Sequence, residues 1–201
     1  DKPDEPVGQA KANLMRRVVG RMEQLGEGLL DFARVRTPRI VWSDVQKLID
    51  QSLELLRLDD PVRRVHVDVH VPEGLKAPCD GDRIVQVLVN LVRNAAQALI
   101  ENEARDPTIT ISAEPLTREG SGWVQITVSD NGPGIPPELL PSLLEPFVSS
   151  RLDARGTGLG LAVADGIVRE HGGVLIARNR DEGGAEFEVL LPAFERAEAT
   201  A

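Results

Sequence analysis

Cysteine, aromatic residues and basic residues are all scarce in this chain of 201 residues. Its single cysteine, Cys79, cannot form an internal disulfide, which is typical of a reducing compartment. Aromatic side chains make up only 3% of the chain, so aliphatic residues must fill the interior. Lys and Arg total 23 against 32 Asp and Glu, and the formal net charge of −9 argues against a nucleic-acid partner. No apolar run approaches the ~20 residues of a membrane span and no signal peptide opens the chain, so we expect a cytoplasmic location, with any membrane anchor in a longer parent protein.

Residues 7–36 carry apolar side chains at the spacing of a helix. They follow at intervals of three and four along one seam: Leu14, Val18, Met22, Leu25, Leu29 and Phe32. Three glycines weaken this helix by about 1 kcal/mol each relative to alanine, so it needs a partner. A second copy of the helix is the simplest partner, which predicts a homodimer through residues 7–36. The alternative is that the helix packs on its own domain.

From residue 39 onward the pattern alternates between strands and helices, which predicts an α+β fold: a two-layer sandwich with helices covering one face of a mixed sheet. The predicted strands are residues 39–42, 65–71, 108–113, 123–129, 174–177 and 185–191. The predicted helices are residues 43–57, 80–100 and 159–171, the first opened by a capping box of Ser43 and Gln46. A polar loop over 118–122 joins two of the strands. We expect a long helix in 1–38, a folded domain in 39–192 and a disordered tail in 193–201.

Two asparagines interrupt the largely apolar helix predicted over residues 80–100. Asn90 and Asn94 are one turn apart, and Gln97 follows on the same side. Asn94 lies at the edge of the apolar arc, where an unpaired amide costs about 1–3 kcal/mol. The amide either caps a neighbouring loop or offers its carbonyl oxygen to a hard cation such as Mg²⁺.

Asp130 ends a predicted strand on the apolar side. By parity it continues the face of Val124, Ile126 and Val128, where a carboxylate is costly unless it is hydrogen-bonded. A sharp bend, Asn-Gly-Pro-Gly-Ile over residues 131–135, follows immediately. These features predict an acid at the bottom of a pocket that accepts hydrogen bonds from a flat polar group. The alternative is a structural Asx turn at the same bend.

Glycine and proline crowd residues 131–160, where they occupy ten of 30 positions. A stretch of this length with little room for regular structure is usually functional or disordered. It ends in Gly-Thr-Gly-Leu-Gly-Leu over residues 156–161, which runs directly into a predicted helix. Exposed amides at a helix N-terminus favour an anion such as phosphate. The spacing matches neither the Rossmann fingerprint nor the Walker A loop.

Taken in order, these motifs resemble the N, G1, F and G2 boxes of the catalytic ATP-binding domain of two-component sensor histidine kinases. The boxes read Asn90-Leu-Val-Arg-Asn94-Ala, Asp130-Asn-Gly-Pro-Gly-Ile135, Glu145-Pro-Phe147-Val-Ser-Ser and Gly156-Thr-Gly-Leu-Gly-Leu161. The resemblance covers about residues 39–192 and implies the Bergerat-type ATP fold, shared with gyrase-type ATPases. It also implies that residues 1–38 hold the second helix of a dimerisation hairpin. The implied activity is a protein-histidine kinase that uses ATP and Mg²⁺, releases ADP and passes the phosphoryl group to a response regulator.

The resemblance also assigns roles to residues of this chain. Asn94 would coordinate Mg²⁺, and Asp130 would accept the adenine amino group. Phe147 would anchor a mobile lid over residues 136–155. Arg151 would reach the γ-phosphate, or else be a solvated charge on the lid. The implied catalytic residues are Asn90, Asn94 and Arg151, and the implied nucleotide contacts are Asn94, Gln97, Ala98, Asp130, Gly132, Gly134, Ile135, Phe147, Thr157, Gly158, Leu159, Gly160 and Leu161.

Two departures from the wider family limit the expected chemistry. Gyrase-like hydrolases carry a water-activating glutamate four residues before the metal asparagine, whereas here that residue is Asn90. An amide cannot act as a general base, so phosphoryl transfer is expected rather than fast ATP hydrolysis. The three histidines also do not fit an acceptor, because His66 and His70 lie on a strand face and His171 lies at a helix C-terminus.

We therefore expect that this chain does not autophosphorylate and that the acceptor helix belongs to the rest of its full-length kinase. Two alternatives remain open at this point. One is an ATP-binding module without catalysis, and the other is an anti-sigma-type serine kinase on the same ATP fold.

Overall fold

The structure, a computed structural model, describes Met15 and residues 37–118, 120–148 and 158–193. The predicted helix over residues 7–36 lies outside the described residues, except for Met15, which is helical and exposed. Residues 194–201 of the predicted tail lie outside them as well.

Seven strands and three α-helices make up the described fold. The strands are β1 (Val41–Asp44), β2 (His66–His70), β3 (Lys76–Cys79), β4 (Thr108–Arg118), β5 (Ser121–Asp130), β6 (Val174–Asn179) and β7 (Ala185–Pro192). The helices are α1 (Val45–Leu55), α2 (Gly81–Glu101) and α3 (Gly160–Glu170), with short 3₁₀ helices at Val62–Arg64 and Leu140–Ser142.

Five of the strands form one mixed sheet in the order β2-β4-β5-β7-β6. Strand β2 runs parallel to β4, and the other neighbours are antiparallel. One face of this sheet is apolar and fully buried, with Ile109, Ile126 and Val189 among its side chains. The register places polar residues on the other face, where Thr110 pairs with Ser129 and Ser129 pairs with Glu186. The expected α+β architecture with a mixed sheet is confirmed.

Helix α2 occupies the centre of the helical layer, between α1 and α3 and against β4 and β5. Its side chains are buried around most of its circumference: Ile84, Val85, Val87, Leu88, Leu91, Val92, Ala95, Ala96 and Leu99. The helix begins at the N-cap Asp80, whose carboxylate accepts from the main-chain N–H of Arg83. Because α2 is central, any polar side chain of this helix that faces the sheet lies at the centre of the domain.

A hydrogen bond between Asp80 and His171 joins the start of α2 to the end of α3. The main-chain N–H of Asp80 donates to Nε2 of His171 across 3.0 Å, so this ring nitrogen carries no proton. Nδ1 of His171 therefore donates to the carbonyl of Ile167, 2.7 Å away. The buried imidazole is neutral and structural, consistent with the expectation that it is not a phosphoacceptor.

The first helix begins differently from the sequence prediction. Asp44, not Ser43, is its N-cap, because the carboxylate of Asp44 accepts from the main-chain N–H of Lys47 across 3.1 Å. The predicted capping box is wrong because the preceding strand extends to Asp44, where it pairs with Lys76 of β3. Strand β3 itself was not predicted, since its short sequence contains a proline.

The hairpin of β4 and β5 is longer than the sequence pattern indicated. The antiparallel register continues from the Ile109–Asp130 pair to the Arg118–Ser121 pair, so most of the predicted polar loop over 118–122 belongs to strands. Cross-strand hydrogen bonding over ten residue pairs outweighs the polar and glycine-rich composition of that stretch. The extension places Asp130 at the end of a long central strand.

Candidate nucleotide-binding site

Asp130 is a buried acid with one oxygen engaged and one available. Its side chain is 3% exposed, as the alternation of the strand predicted. Oδ1 accepts from the main-chain N–H of Gly132 across 2.9 Å and from that of Ala185 across 3.2 Å. The bond to Gly132 is the Asx turn, so the structural interpretation is confirmed, whereas the pocket interpretation stays a prediction. None of the hydrogen bonds seen among the described residues engages Oδ2, which leaves this oxygen as an acceptor for a ligand.

Burial dominates the electrostatics of this carboxyl group. Desolvation raises the pKa of Asp130 above its usual value, and the two main-chain N–H donors and the charge of Arg180 oppose the rise. The ionised form is therefore costly to hold in the folded chain. A raised carboxyl pKa in a pocket is typical of functional sites.

The amides of Asn90 and Asn94 meet the start of α3. Asn90 donates from Nδ2 to the main-chain carbonyl of Gly160 across 3.1 Å. A Cβ placed on Gly160 would lie 3.9 Å from Oδ1 of Asn90 and 4.0 Å from Nδ2 of Asn94. Both amides are half-buried. The structure thus brings the predicted metal ligand and the predicted phosphate loop together.

Helix α2 connects this amide cluster to the Asp130 pocket. A Cβ on Gly132 would lie 3.4 Å from Leu99, so the loop after β5 packs against the last turns of α2. Asn90 and Leu99 are nine residues apart, about 13 Å along a helix, and at about 3.6 residues per turn they lie on opposite faces of it. Helix α2 therefore contacts both parts of the predicted site: its last turns meet the loop after Asp130, and its Asn90 amide meets the start of α3.

The F and G2 boxes are joined through main-chain atoms. The N–H of Phe147 donates to the carbonyl of Gly158 across 2.9 Å, and both residues have positive φ, 67° and 65°. A Cβ on Gly158 would approach the carbonyl carbon of Phe147 to 2.7 Å, so only glycine fits there. The Phe147 side chain is exposed, and its role as a lid anchor stays a prediction. Arg151 and Thr157 lie outside the described residues.

The other predicted contacts lie on the same elements: α2, the loop after β5 and the start of α3. Gln97 and Ala98 are half-buried on α2, Ile135 is half-buried after the G1 loop, and Leu161 is half-buried in the first turn of α3. Leu159 is 1% exposed, so its side chain belongs to the core. Their contact with a nucleotide remains a prediction.

Two asparagines of the site were missed from the sequence. Asn131 ties the G1 loop to the start of β4, with Oδ1 accepting from the N–H of Thr108 and Nδ2 donating to the carbonyl of Asp106. Asn179, at the end of β6, holds both main-chain groups of Ile135. Asn131 stands in the G1 box, where it was given no role of its own, whereas Asn179 stands in no recognised motif and only the sheet order brings β6 next to this loop.

The described residues hold no group of three or more His, Cys, Asp or Glu side chains placed to bind a metal ion. In the described part of the chain, no helix combines the length and apolar character needed to cross a membrane.

Comparison with known proteins identifies the family. Residues 79–195 match the model of the histidine kinase-, DNA gyrase B- and HSP90-like ATPase family. The sensor histidine kinase ZraS of Salmonella typhi is 33% identical, over 92% of this chain and 38% of the relative, so the chain spans well under half of that protein. The solved catalytic domain of the histidine kinase ThkA has 31% identity and a TM-score of 0.62, over 77% of this chain and 96% of that one. Full-length ShkA, solved in complex with AMPPNP, has 25% identity and a TM-score of 0.72, over 92% of this chain and 38% of that one.

The sequence match, the shared fold and the order of the four boxes along the chain agree. The chain belongs to the histidine kinase-, DNA gyrase B- and HSP90-like ATPase family, as an ATP-binding catalytic domain of the kind found in sensor histidine kinases.

Proposed function

We propose that this chain transfers the γ-phosphoryl group of Mg·ATP to a histidine outside its own sequence, for relay to a response regulator. The observation that carries the proposal is that α2 contacts both parts of the predicted site: the loop after Asp130, whose Oδ2 is available, and the start of α3, where the amides of Asn90 and Asn94 lie beside Gly160. An adenine amino group matches an acidic acceptor, and phosphates match a helix N-terminus. ShkA, solved with AMPPNP, supports nucleotide binding.

The side chains present fit a magnesium ion that is shared with phosphates. Mg²⁺ takes oxygen ligands and usually keeps waters and phosphate oxygens, so it does not need a cluster of protein carboxylates. The protein ligand we propose is the side-chain oxygen of Asn94, whose amide nitrogen lies beside Gly160. When bound, Mg²⁺ would neutralise charge on the transferring phosphate.

The chain's own residues then position the phosphate and supply no base. In the proposed transfer the bond from the γ-phosphorus to the bridging oxygen breaks, a bond to the acceptor imidazole nitrogen forms, and ADP leaves. Asn90 is an amide already bonded to Gly160, so it has no means of activating a water molecule. Catalysis would rest on positioning and charge neutralisation, as in phosphoryl transfer generally. We propose that Arg151 reaches the γ-phosphate.

The acceptor histidine is proposed to lie elsewhere in the full-length kinase. All three histidines of the sequence are in the described residues: His66 and His70 on β2, and His171 at the end of α3. None stands at the start of a helix, where the family carries its acceptor. ThkA has also been solved in complex with the response regulator protein TrrA, which supports a response regulator as the downstream partner.

The remaining assignments complete the proposal. Residues 39–192 would form the catalytic domain, residues 1–38 a partial dimerisation helix that pairs two copies through 7–36, and residues 193–201 a tail. A cytoplasmic location follows from the need for ATP. Sedimentation at micromolar concentration tests the dimer, since a monomer there would contradict pairing through 7–36.

The decisive experiment is phosphorylation in trans. The chain would be mixed with Mg²⁺, γ-³²P-labelled ATP and the longer polypeptide that carries its acceptor, disabled by Asp130→Ala so that any label must come from the added chain. Acid-labile, base-stable label on the longer polypeptide is the expected result. Acid-stable label would indicate a serine kinase instead, and nucleotide binding without label would indicate a module without catalysis. Acid-labile label on the added chain itself would contradict the absence of an acceptor.

A further inference from the structure

The turn between β6 and β7 holds the loop that follows Asp130. Oδ1 of Asn179 accepts from the main-chain N–H of Ile135 across 2.6 Å, and Nδ2 of Asn179 donates to the carbonyl of the same residue across 2.7 Å. One side chain thus satisfies both main-chain polar groups of Ile135. Pro133, Pro136 and Pro137 carry no amide hydrogen, so Ile135 is one of few residues through which this loop can be tied down.

The same turn also contacts Asp130 itself. Nη1 of Arg180 donates to the main-chain carbonyl of Asp130 across 3.1 Å, and the N–H of Ala185 donates to its Oδ1. The turn is closed by the N–H of Arg180 on the carbonyl of Gly184, 3.0 Å away. Residues 179–185 therefore fix the acid on its main chain and on its side chain, and orient the available Oδ2.

Two glycines permit this close approach. A Cβ on Gly134 would lie 2.8 Å from Oδ1 of Asn179, and a Cβ on Gly184 would overlap the carbonyl oxygen of Asp130. Both glycines have positive φ, 79° and 91°, which L side chains rarely adopt. The loop and the turn are shaped to contact each other through Asn179.

We infer that Asn179 is a positioning residue for base recognition, which acts through Ile135 and the orientation of Asp130. This inference rests on the proposed nucleotide site and extends it to an element outside the four motif boxes. The loop over residues 131–135 forms one wall of the base pocket, and its place relative to Oδ2 of Asp130 depends on the two hydrogen bonds from Asn179. The residue would therefore control discrimination between purines and not only the stability of the turn.

The test compares AMPPNP with its guanine counterpart GMPPNP by calorimetric titration. Asn179→Ala is expected to weaken AMPPNP binding roughly 10-fold, the effect of losing one to two net hydrogen bonds, and to narrow the preference for adenine over guanine. Asn179→Asp has the same shape but cannot donate to the carbonyl of Ile135, so it should also fail to restore the preference. In the trans-phosphorylation assay, Asn179→Ala should raise the KM for ATP and leave kcat unchanged.

Arg178→Ala is the matched control. Arg178 precedes Asn179 in β6 and pairs with Glu186 and Glu188, without a contact to residues 130–135. Its loss should loosen the same hairpin, because the side chains of its partners Glu186 and Glu188 are only 17% and 9% exposed. The affinity for either nucleotide should change less than about 2-fold, since none of its ion pairs or hydrogen bonds reaches residues 130–135. Thermal unfolding of each variant reports whether the fold is kept.

Three results would overturn the inference. They are wild-type AMPPNP affinity in Asn179→Ala, an equal loss in Arg178→Ala, or an equal weakening of both nucleotides with the purine preference intact. If Asn179→Asp restored the preference for adenine over guanine, the shape of the side chain would set this preference, and not the hydrogen bond that Asn179 donates to the carbonyl of Ile135. If the wild-type chain binds neither nucleotide, the proposed function itself fails. If the wild-type chain binds AMPPNP and the Asn179 variants bind it equally well, the proposed function stands and only this inference is refuted.

Discussion

Asn90 of α2 donates its side-chain amide to the main-chain carbonyl of Gly160, 3.1 Å away, and so joins the central helix to the first residue of α3. The residue that replaces the hydrolytic glutamate of gyrase-like enzymes thus has a partner of its own. Because the amide spans the two elements, their separation depends on it.

Replacing Asn90 with alanine is expected to weaken AMPPNP binding roughly 2- to 10-fold, the value of one net hydrogen bond. Calorimetric titration measures this change. Gln46→Ala, which removes an exposed bond to Asp50 within α1, is the control and should bind as the wild type does. Faster ATP hydrolysis in Asn90→Ala would contradict the view that the amide only positions the loop.

Removal of Asn94 tests the metal assignment. Asn94→Ala should abolish most of the gain in AMPPNP affinity that Mg²⁺ produces, by ~10-fold or more, which is about 1.4 kcal/mol. Affinity in EDTA should stay nearly unchanged, since only the metal ligand is lost. Asn94→Asp keeps an oxygen ligand and should retain the response to Mg²⁺. A full Mg²⁺ response in Asn94→Ala would assign the metal to other residues.

Asp130→Asn should change binding and stability in opposite directions. The pKa of Asp130 is raised above its ordinary value of 3.8, so between that pH and the folded-state pKa the folded chain binds more protons than the unfolded chain. Stability therefore falls as pH rises through this window, and the deficit persists at neutral pH. Asparagine keeps the Oδ1 acceptor for Gly132 and Ala185 without the charge.

The Asp130→Asn variant is thus expected to melt at a higher temperature than the wild type at pH 7, and this difference should shrink toward pH 4. Its affinity for AMPPNP should fall roughly 10-fold or more, because the charged acceptor is lost. Thermal unfolding across this pH range and titration at pH 7 provide both readouts. Asp68→Asn on the opposite face of the sheet is the control. A lower melting temperature at pH 7 would show that the negative charge of Asp130 stabilises the fold.

The buried thiol of Cys79 should be inert. The pKa of this thiol is raised to about 11, chiefly by burial. A hydrogen bond with Ser43 lowers the pKa in part, and the charge of Asp80 raises it further. At pH 8 the thiolate fraction is then on the order of 10⁻³, so a disulfide reagent should react roughly 100-fold or more slowly with native than with unfolded chain. The release of chromophore over time measures both rates, and fast labelling of native protein would indicate that the core around β3 opens readily.

Local patterns were enough to predict the elements that carry the chemistry. The period of α2, the alternation of β5 and the glycine run before α3 place Asn94, Asp130 and Gly160 in their elements without tertiary information, because each pattern reflects burial of one face. Local patterns could not predict that Asp44 is the N-cap of α1 or that β3 is a strand. The cap depends on where β1 stops, and β1 stops where its pairing with β3 ends.

Which residues lie next to Asp130 depends on the order of the strands in the sheet. Strand β7 enters the sheet between β5 and β6, and this order brings Ala185, Arg180 and Asn179 to the acid from about 50 residues further along the chain. The amino-acid sequence by itself determined the amphipathic helices, the inward-facing acid and the glycine-rich bend that follows it, since these depend on neighbours within a few positions. The partners of that acid depend on strand pairing and on the packing of α2 against the sheet, which are collective properties that arise only when the whole domain has folded.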